Sequence, residues 1–228
     1  MKNSITTEAI ILSETRYSES SKILRAYTKE IGKVSIMAKG ALRPKSKLVT
    51  FSQPHCHFLC NLSQGKNFYY IEPIKIIDSN FFLRRDYTTI VLAGYISEMV
   101  EKSFLEGETN ETVFDLIVKT LRLMNGNKNV EALVLAFSLK YISYMGYRPN
   151  LKEVENPFFS NYDGGVTNKG GTILRIEDIY YLKKLLYTSL DELVFDYDLS
   201  RTIFLLNLIA DYIKYNLEIH EFNSLKIL

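Results

Sequence analysis

The 41 residues from Ile31 to Ile71 contain no aspartate or glutamate, although they hold six lysines and arginines. The first 78 residues hold 12 Lys and Arg against 6 Asp and Glu, whereas residues 79–228 hold 16 against 20. Solubility alone does not require a stretch of one charge sign, because a surface that mixes acidic and basic residues is sufficient. A basic part joined to an acidic part indicates binding to nucleic acid or another anionic surface. The alternative is that the basic residues only form a solvated face.

Other absences exclude whole classes of protein. Two cysteines in 228 residues do not make a disulfide scaffold. No apolar run reaches about 18 residues, the length of a membrane-spanning helix, and Met1–Glu8 does not resemble a signal peptide. The chain lacks the Gly-x-x-x-x-Gly-Lys-Ser/Thr loop, so nucleotide hydrolysis is not expected. We therefore expect a cytoplasmic protein with no membrane contact, no cofactor, no metal and no catalytic centre.

The acid-free stretch is centred on a turn, Lys39–Lys47, that carries four cationic side chains. Neutralising phosphates with such a turn releases counterions, so binding should weaken steeply with salt. Arg84 and Arg85, further along the chain, either extend this phosphate track or anchor the junction of the two parts by pairing with acids. The other predicted phosphate contacts are Lys33, Lys39, Arg43, Lys45 and Lys47.

The first 78 residues have the period-two pattern of short β-strands. Val34, Ile36 and Ala38 alternate with polar or exposed positions and should face inward. Five strands at this spacing suit a small closed barrel of the oligonucleotide-binding (OB) type. The predicted strands are Ile5–Leu12, Ile23–Thr28, Lys33–Lys39, Phe51–Leu62 and Asn67–Ile77.

After Asp78 the apolar period changes to that of helices. The sequence therefore predicts an α+β fold, with an OB-fold DNA-binding domain at 1–78 and an α-helical domain at 79–228. Segment 131–145 is apolar nearly all round, as expected for a central buried helix, and Ser189–Glu192 has a capping pattern that predicts a short helix. A long irregular loop spans 147–172. The other predicted helices are 92–104, 113–124, 176–187 and 200–216.

Two groups of residues resemble metal sites but have simpler explanations. The segment His55–Cys60 combines two histidines with two cysteines. In a strand the cysteines share one face and the histidines the other, so four ligands cannot converge on one zinc ion. We expect buried thiols instead. A second group could hold the metal ions of a nuclease but fits better as anions at helix starts: Asp191, Glu192, Asp196 and Asp198.

Aromatic side chains of the barrel are candidates for stacking on unpaired bases, which contributes about 1 to 3 kcal/mol per base. Most of them should be core residues. Tyr69 and Tyr70 point to opposite faces of a strand, so we expect at most one of the two to meet a base. The candidates are Tyr17, Tyr27, Phe51, Phe68, Tyr69 and Tyr70.

A series of short motifs runs along nearly the whole chain, each of them weak alone. In the predicted barrel they are Tyr17–Ile23, Tyr27–Lys33, Ala38–Lys47 and Gln53-Pro54. In the helical part they are Phe137–Lys140, Met145–Leu151, Phe159-Ser160, Gly164-Gly165 and Asn223–Lys226. Their order and spacing resemble the RecO family of bacterial DNA-repair and recombination mediators.

This resemblance implies a non-enzymatic, nucleoid-associated protein of the RecF pathway that binds single- and double-stranded DNA and anneals complementary strands. It also implies RecR as a partner, capture of the C-terminal tail of the single-stranded-DNA-binding protein, and RecA as an indirect partner that is loaded onto the strand. A tail that is apolar and anionic needs an apolar groove with a cationic rim. The candidate rim residues are Lys119, Arg122 and Lys140.

The chain departs from the family in its long loop. Many members carry a four-cysteine zinc site after the Gly-Tyr-x-Pro-x-Leu motif. The matching positions here are Val154, Pro157, Asn168 and Gly171, and none of these residues binds zinc. We therefore expect a degenerate, metal-free version of the zinc-finger-like loop, whose shape comes from packing and turns.

Two other functions stay open on the sequence alone. A cold-shock-like RNA-binding module would explain the barrel and would prefer RNA over DNA, but it leaves 150 helical residues without a role. A metal-dependent nuclease would use the same basic surface to bind its substrate and would cut strands in the presence of magnesium or manganese.

Overall fold

The computed structural model describes residues 4–126 and 129–227. Met1-Lys2-Asn3, which entered the signal-peptide argument, lies outside the described residues. By packing, the chain divides into two compact units, Met1–Asn125 with Phe222–Leu228, and Gly126–Glu221. The predicted domain division after Asp78 stays a prediction: it coincides with the end of the fifth strand, whereas packing groups the next two helices with the barrel.

The first unit begins with five strands, β1 Ser4–Arg16, β2 Lys22–Thr28, β3 Gly32–Ala38, β4 His57–Gln64 and β5 Tyr69–Asp78. They form a closed barrel in the order β1-β2-β3-β5-β4. β1 pairs antiparallel with both β2 and β4. β3 and β5 pair in parallel, with Ile36 opposite Tyr69 and Met37 opposite Tyr70. A closed barrel of five strands is compatible with the OB type, and with the helices that follow it confirms the predicted α+β fold.

Alternating side chains of the strands fill the barrel. Val34, Ile36 and Ala38 are buried in its core cluster, as predicted. Cys56 and Cys60 lie in the same cluster, and both are free thiols. Burial raises the pKa of each thiol to about 12, so the reactive thiolate is scarce at neutral pH. The prediction of buried thiols is thus confirmed.

The predicted fourth strand, Phe51–Leu62, begins too early. Leu48–Phe51 forms a short helix, α1, and β4 starts only at His57. Between them His55 takes a φ of 67°, in the left-handed region that strands do not use. The helix still contributes to the barrel core, because Phe51 packs edge-on against Phe58 with ring centroids 5.4 Å apart. Apolar residues therefore continue through both elements, and periodicity alone does not separate them.

Two helices of the first unit follow the barrel, α2 Tyr87–Ser103 and α3 Glu111–Met124. α2 begins earlier than the predicted 92, because the Asp86 carboxylate caps it by accepting the backbone N–H of Thr89 at 2.8 Å. Tyr27 of β2 packs on this helical layer, with its ring centroid 4.9 Å from Phe104 and 6.3 Å from Phe114.

The end of the chain returns to α2. The carboxylate of Glu98 accepts the backbone N–H groups of Asn223 and Ser224, each at 2.9 Å, and pairs with Lys102 at 2.7 Å. Partial burial opposes ionisation of Glu98, but these bonds outweigh it and lower its pKa to about 2. Phe222 is buried beside them. These contacts explain why the last residues group with the first unit.

The second unit contains α4 Val130–Tyr144, α5 Ile176–Tyr187 and α6 Leu199–Asn216. Residues 132–139 of α4 are all buried, which confirms the predicted central helix.

Asp178 of α5 is fully buried, and its carboxylate accepts hydrogen bonds from the Tyr197 hydroxyl at 2.7 Å and from Arg201 Nε at 2.8 Å. Its burial opposes ionisation, yet these bonds keep the pKa of Asp178 below its usual range. Within the described residues, no helix meets the length and hydropathy of a membrane span.

The short helix predicted at Ser189–Glu192 is only a single helical turn, Leu190–Glu192, and the Ser189 side chain does not cap it. The long loop is more regular than predicted. It contains β6 Phe158–Ser160, β7 Gly165–Thr167 and β8 Thr172–Ile173, which form a small sheet in the order β7-β6-β8.

Close backbone contacts at two glycines set the shape of this loop. A Cβ at Gly165 would lie 2.3 Å from the carbonyl oxygen of Asn150, and a Cβ at Gly171 would lie 2.3 Å from that of Phe159. Phe159 is itself buried and meets Tyr212 of α6 edge to face, with ring centroids 5.4 Å apart. Packing of this kind gives the loop a defined shape without ligands at the four positions named above.

We expect Gly165→Ala to destabilise the second unit by roughly 1 to 3 kcal/mol more than Gly170→Ala. Both glycines have a φ of 136°, so both substitutions carry the same backbone strain, but only at Gly165 does the new Cβ meet backbone atoms. Urea unfolding followed by circular dichroism measures the difference. Equal destabilisation by the two changes would contradict the packing explanation.

Candidate nucleic-acid interface

The basic turn, Lys39–Lys47, leaves the end of β3 and leads into α1, and its four cationic side chains are exposed. Local bonds fix its backbone. The N–H of Arg43 donates to the carbonyl of Gly40 at 3.0 Å, and the N–H of Leu42 donates to the carbonyl of Ser20 at 3.0 Å. The second bond ties the turn to the connection between β1 and β2. The cations are therefore carried on a defined backbone.

The positive charge of the basic turn is not neutralised by the protein itself. Among the described residues, Lys39, Arg43, Lys45 and Lys47 form no ion pair with a carboxylate. The Lys39 ammonium lies 4.9 Å from the centre of the Tyr70 ring, a cation–π contact that leaves its charge in place. A cationic surface without matching acids raises the local concentration of polyanions.

A groove of 490 Å³ opens beside the basic turn. Lys39 and Arg43 supply its cations, and Tyr17, Phe68 and Tyr70 supply its aromatic rings. Tyr17 and Phe68 meet edge to face, with centroids 6.4 Å apart. No carboxylate is among the lining residues, whose other members are Ser18, Ser20, Ser21, Met37 and Gly40. The groove thus combines donors for phosphate oxygens with ring surfaces for bases, the combination used by single-strand binding proteins.

The structure sorts the aromatic candidates into two sets. Tyr27 is fully buried, and Phe51 and Tyr69 pack against the barrel core, whereas Tyr70 lines the groove. The two adjacent tyrosines therefore take different faces, as the strand geometry requires. Sequence reasoning missed the groove serines, because their place depends on the long-range bond between the basic turn and Ser20.

Lys33 lies at the opposite end of β3 from the basic turn, about 20 Å away along the strand. Its ammonium donates to the carbonyl of Glu101 at 2.6 Å, and its own carbonyl accepts the N–H of Gly107 at 2.8 Å. Partial burial lowers the pKa of Lys33, while the nearby Glu106 opposes that change. The side chain thus joins the barrel to the last turn of α2, and the backbone carbonyl joins it to the segment after α2. The predicted phosphate contact of Lys33 stays a prediction.

Arg84 and Arg85 lie in a single helical turn, Phe81–Arg85, between β5 and α2. Arg84 donates from Nη2 to the carbonyl of Pro54 at 3.2 Å. The guanidinium of Arg85 lies 4.2 Å from the centre of the Phe82 ring. Neither arginine forms an ion pair with a carboxylate in the part of the chain that the structure describes. Their role as phosphate contacts stays a prediction.

The three predicted rim residues belong to different units. Lys119 and Arg122 lie on α3 in the unit of the barrel, and Arg122 is exposed. Lys140 lies on α4 in the other unit, where its ammonium donates to the carbonyls of Leu186 and Thr188, each at 2.7 Å. It thereby satisfies the carbonyl end of α5. That these three cations line one groove for the anionic tail stays a prediction.

The groups that resembled metal sites have other partners. His57 Nε2 lies 2.8 Å from the Glu8 carboxylate. Asp198 caps α6 by accepting the N–H of Arg201 at 2.8 Å, which confirms it as a helix-start anion. Asp196 pairs with Lys184 at 2.8 Å. Across residues 4–126 and 129–227, no three His, Cys, Asp or Glu side chains are grouped so that they could hold a metal ion.

Two family models match the chain in tandem. The model described as "Recombination protein O N terminal" matches residues 1–80, and "Recombination protein O C terminal" matches residues 84–226. The DNA repair protein RecO of Caldicellulosiruptor bescii is 35% identical over 174 residues, which are 72% of this chain and 70% of that protein. Those of Alkaliphilus metalliredigens and Bacillus mycoides are each 34% identical over 64% and 62% of this chain. The latter two matches span only 60% and 57% of those relatives.

We expect Lys39→Gln to weaken binding of a single-stranded oligonucleotide and to reduce the slope of log affinity against log salt by about 0.7, the value for one phosphate contact. Lys33→Gln tests the separate contact predicted for Lys33: it should lower the free energy of unfolding by about 1 kcal/mol, because the ammonium that donates to the Glu101 carbonyl is lost, and it should reduce affinity and slope only if Lys33 also meets phosphate. Fluorescence anisotropy over a salt series and urea unfolding measure the two effects. Equal loss of affinity in the two variants would show that Lys33 also meets phosphate.

Proposed function

This chain belongs to the RecO family, and on that premise we propose that it is a non-enzymatic recombination mediator that grips DNA through its basic turn. The role in DNA repair and recombination follows from the family. The observation that supports the grip is a set of four exposed cations, without carboxylate partners among the described residues, beside a groove lined by aromatic rings.

Binding through this surface is independent of sequence. Lys39, Arg43, Lys45 and Lys47 reach phosphates, which carry no sequence information, and the released counterions supply most of the free energy. A single strand gains further from rings in the groove, because its bases are free to stack. A duplex keeps its bases paired, so it is held by the cations alone. Both kinds of DNA are therefore ligands, and the single strand uses more of the surface.

The same cations favour annealing of complementary strands. Two strands repel each other through their phosphates, and a cationic surface lowers that repulsion while they pair. Exchange of the single-stranded-DNA-binding protein for RecA then needs no nucleotide hydrolysis by this chain, since competing affinities are sufficient. RecR and the C-terminal tail of the single-stranded-DNA-binding protein are the proposed protein partners, with Lys119 and Arg122 as cations for the anionic tail.

The two alternative functions have less support. A cold-shock-like RNA module accounts only for the barrel, whereas a RecO domain model covers residues 84–226 as well. A metal-dependent nuclease needs clustered carboxylates, and the described residues contain no such cluster.

Reversal of three charges in the basic turn, Arg43→Glu with Lys45→Glu and Lys47→Glu, tests the proposal. We expect affinity for single and double strands of any sequence to fall at least tenfold, and the salt slope for a single strand to fall by about 2, because three phosphate contacts are lost. The rate of annealing of complementary oligonucleotides should fall with it. Fluorescence anisotropy and a strand-annealing assay provide the measurements.

A matched control carries the same charge change elsewhere. Arg148, Lys152 and Lys169 are exposed cations of the second unit without a carboxylate partner among the described residues. Their triple replacement by Glu alters net charge equally and should leave the salt slope close to that of the unaltered chain. If both triple variants lose affinity to the same extent, net charge and not the basic turn governs binding.

A further inference from the structure

An exposed aromatic pair lies outside the basic turn and its groove. Phe81 and Phe82 begin the helical turn Phe81–Arg85 and are 61% and 47% exposed. Scattered apolar side chains on a surface are ordinary, whereas adjacent large ones mark interaction sites. Ile77 and Tyr87, which flank the turn in sequence, are also exposed, at 46% and 62%. This part of the first unit is therefore a candidate contact surface.

The aromatic pair is held on a fixed backbone. Leu83, the next residue, is completely buried and anchors the turn. Asn80, just before it, takes a φ of 47°, and its N–H donates to the Asp78 carboxylate at 2.8 Å while its side-chain amide donates to the carbonyl of His55 at 2.8 Å. Hydrogen bonds thus fix the turn that carries the rings at both of its ends, at Asn80 before it and at Asp86, which caps α2, after it.

Cations accompany the two rings. The guanidinium of Arg85 lies 4.2 Å from the centre of Phe82, and that of Arg84 lies 5.7 Å from the centre of Phe81. The two acids nearest in sequence are already engaged, because Asp78 accepts the Asn80 N–H and Asp86 accepts the Thr89 N–H. The surface therefore combines aromatic faces with two positive charges that no described carboxylate pairs with.

The ligand that fits this combination is a strand with unpaired bases. Phenyl rings and guanidinium planes both stack on bases, and the guanidinium charge also neutralises phosphate. Duplex DNA keeps its base faces covered, and an apolar protein partner would leave the two guanidinium groups without anions. We propose that Phe81 and Phe82 form a second strand-binding surface, on which bases of single-stranded DNA stack while Arg84 and Arg85 neutralise its phosphates. This inference rests on the proposed function and extends it to a second site.

The second surface lies far from the groove along the barrel. The groove uses Phe68, which directly precedes β5, and Tyr70 at the start of β5, whereas the aromatic pair follows Asp78 at the end of that strand. The ten residues of β5 span about 30 Å. One molecule therefore has room for a strand at each surface, as annealing of two strands requires.

Joint replacement of Phe81 and Phe82 by Ala tests this proposal with two ligands, a poly-thymidine strand and an abasic strand of equal length. Because each stacked base contributes about 1 to 3 kcal/mol, roughly a five- to 150-fold effect, we expect affinity for poly-thymidine to fall at least fivefold. Affinity for the abasic strand and the salt slope for both strands should not change, since the arginines remain. Fluorescence anisotropy measures all four quantities.

Leu105→Ala is the matched control. Leu105 is 77% exposed on the same unit and precedes Glu106, so this variant loses exposed apolar surface beside an acid and not beside cations. It should bind both strands as the unaltered chain does. Photocrosslinking of a bromodeoxyuridine strand to the unaltered chain, with mass-spectrometric mapping, gives an independent readout, and adducts at Phe81 or Phe82 are expected.

Unchanged poly-thymidine affinity in the double variant, or adducts confined to other residues, would overturn the second surface and point to a protein partner instead. Equal losses for poly-thymidine and the abasic strand would also overturn it, because the rings would then not act through bases. The proposed binding of DNA by the basic turn does not depend on any of these outcomes. If the unaltered chain bound neither strand, the proposed function itself would fail.

Discussion

The parallel pairing of β3 with β5 is the constraint on which the candidate nucleic-acid interface depends. It sets Met37 opposite Tyr70, so the basic turn, which leaves the end of β3, emerges beside the aromatic residues that begin β5. Closure of the barrel therefore unites cations from one segment with rings from another that is distant in sequence. The hydrogen bond from Leu42 to Ser20 adds the serines between β1 and β2 to the same place. No single segment of the chain contains the whole site.

Local pairing, more than net charge, decides which cations of the first unit are open to a ligand. At the other end of β2 and β3 the cations face the protein's own acids: Arg25 pairs with Glu106 at 2.7 Å, and Lys29 pairs with Glu111 at 3.0 Å. Exposed ion pairs of this kind add little stability, commonly under about 1 kcal/mol. Their larger effect is to cancel positive potential on that side. The basic turn lies away from these pairs, and among the described residues its four cations keep their charge without a carboxylate partner.

Periodicity made the barrel and the central helix predictable, because alternation in β3 and the all-round apolar face of α4 reflect burial directly. The sequence could not reveal α1, since Phe51 serves the same core from a helix as it would from a strand. Charge alone does not distinguish Lys33 from the cations of the basic turn, because its bond to the carbonyl of Glu101 is set by tertiary packing. Likewise, the exposure of Phe81 and Phe82 depends on which neighbours cover them, and periodicity carries no such information.

The close backbone contacts at two glycines of the long loop affect the conditions under which this part of the protein keeps its fold. A finger built on four thiolates must acquire its ion during synthesis and is lost to chelators or peroxide. In this chain the close approach of Gly165 to Asn150 and of Gly171 to Phe159 shapes the loop by backbone packing. The second unit contains no cysteine, so we expect this region to keep its fold under zinc starvation and thiol oxidation, conditions under which DNA is damaged and repair is most needed.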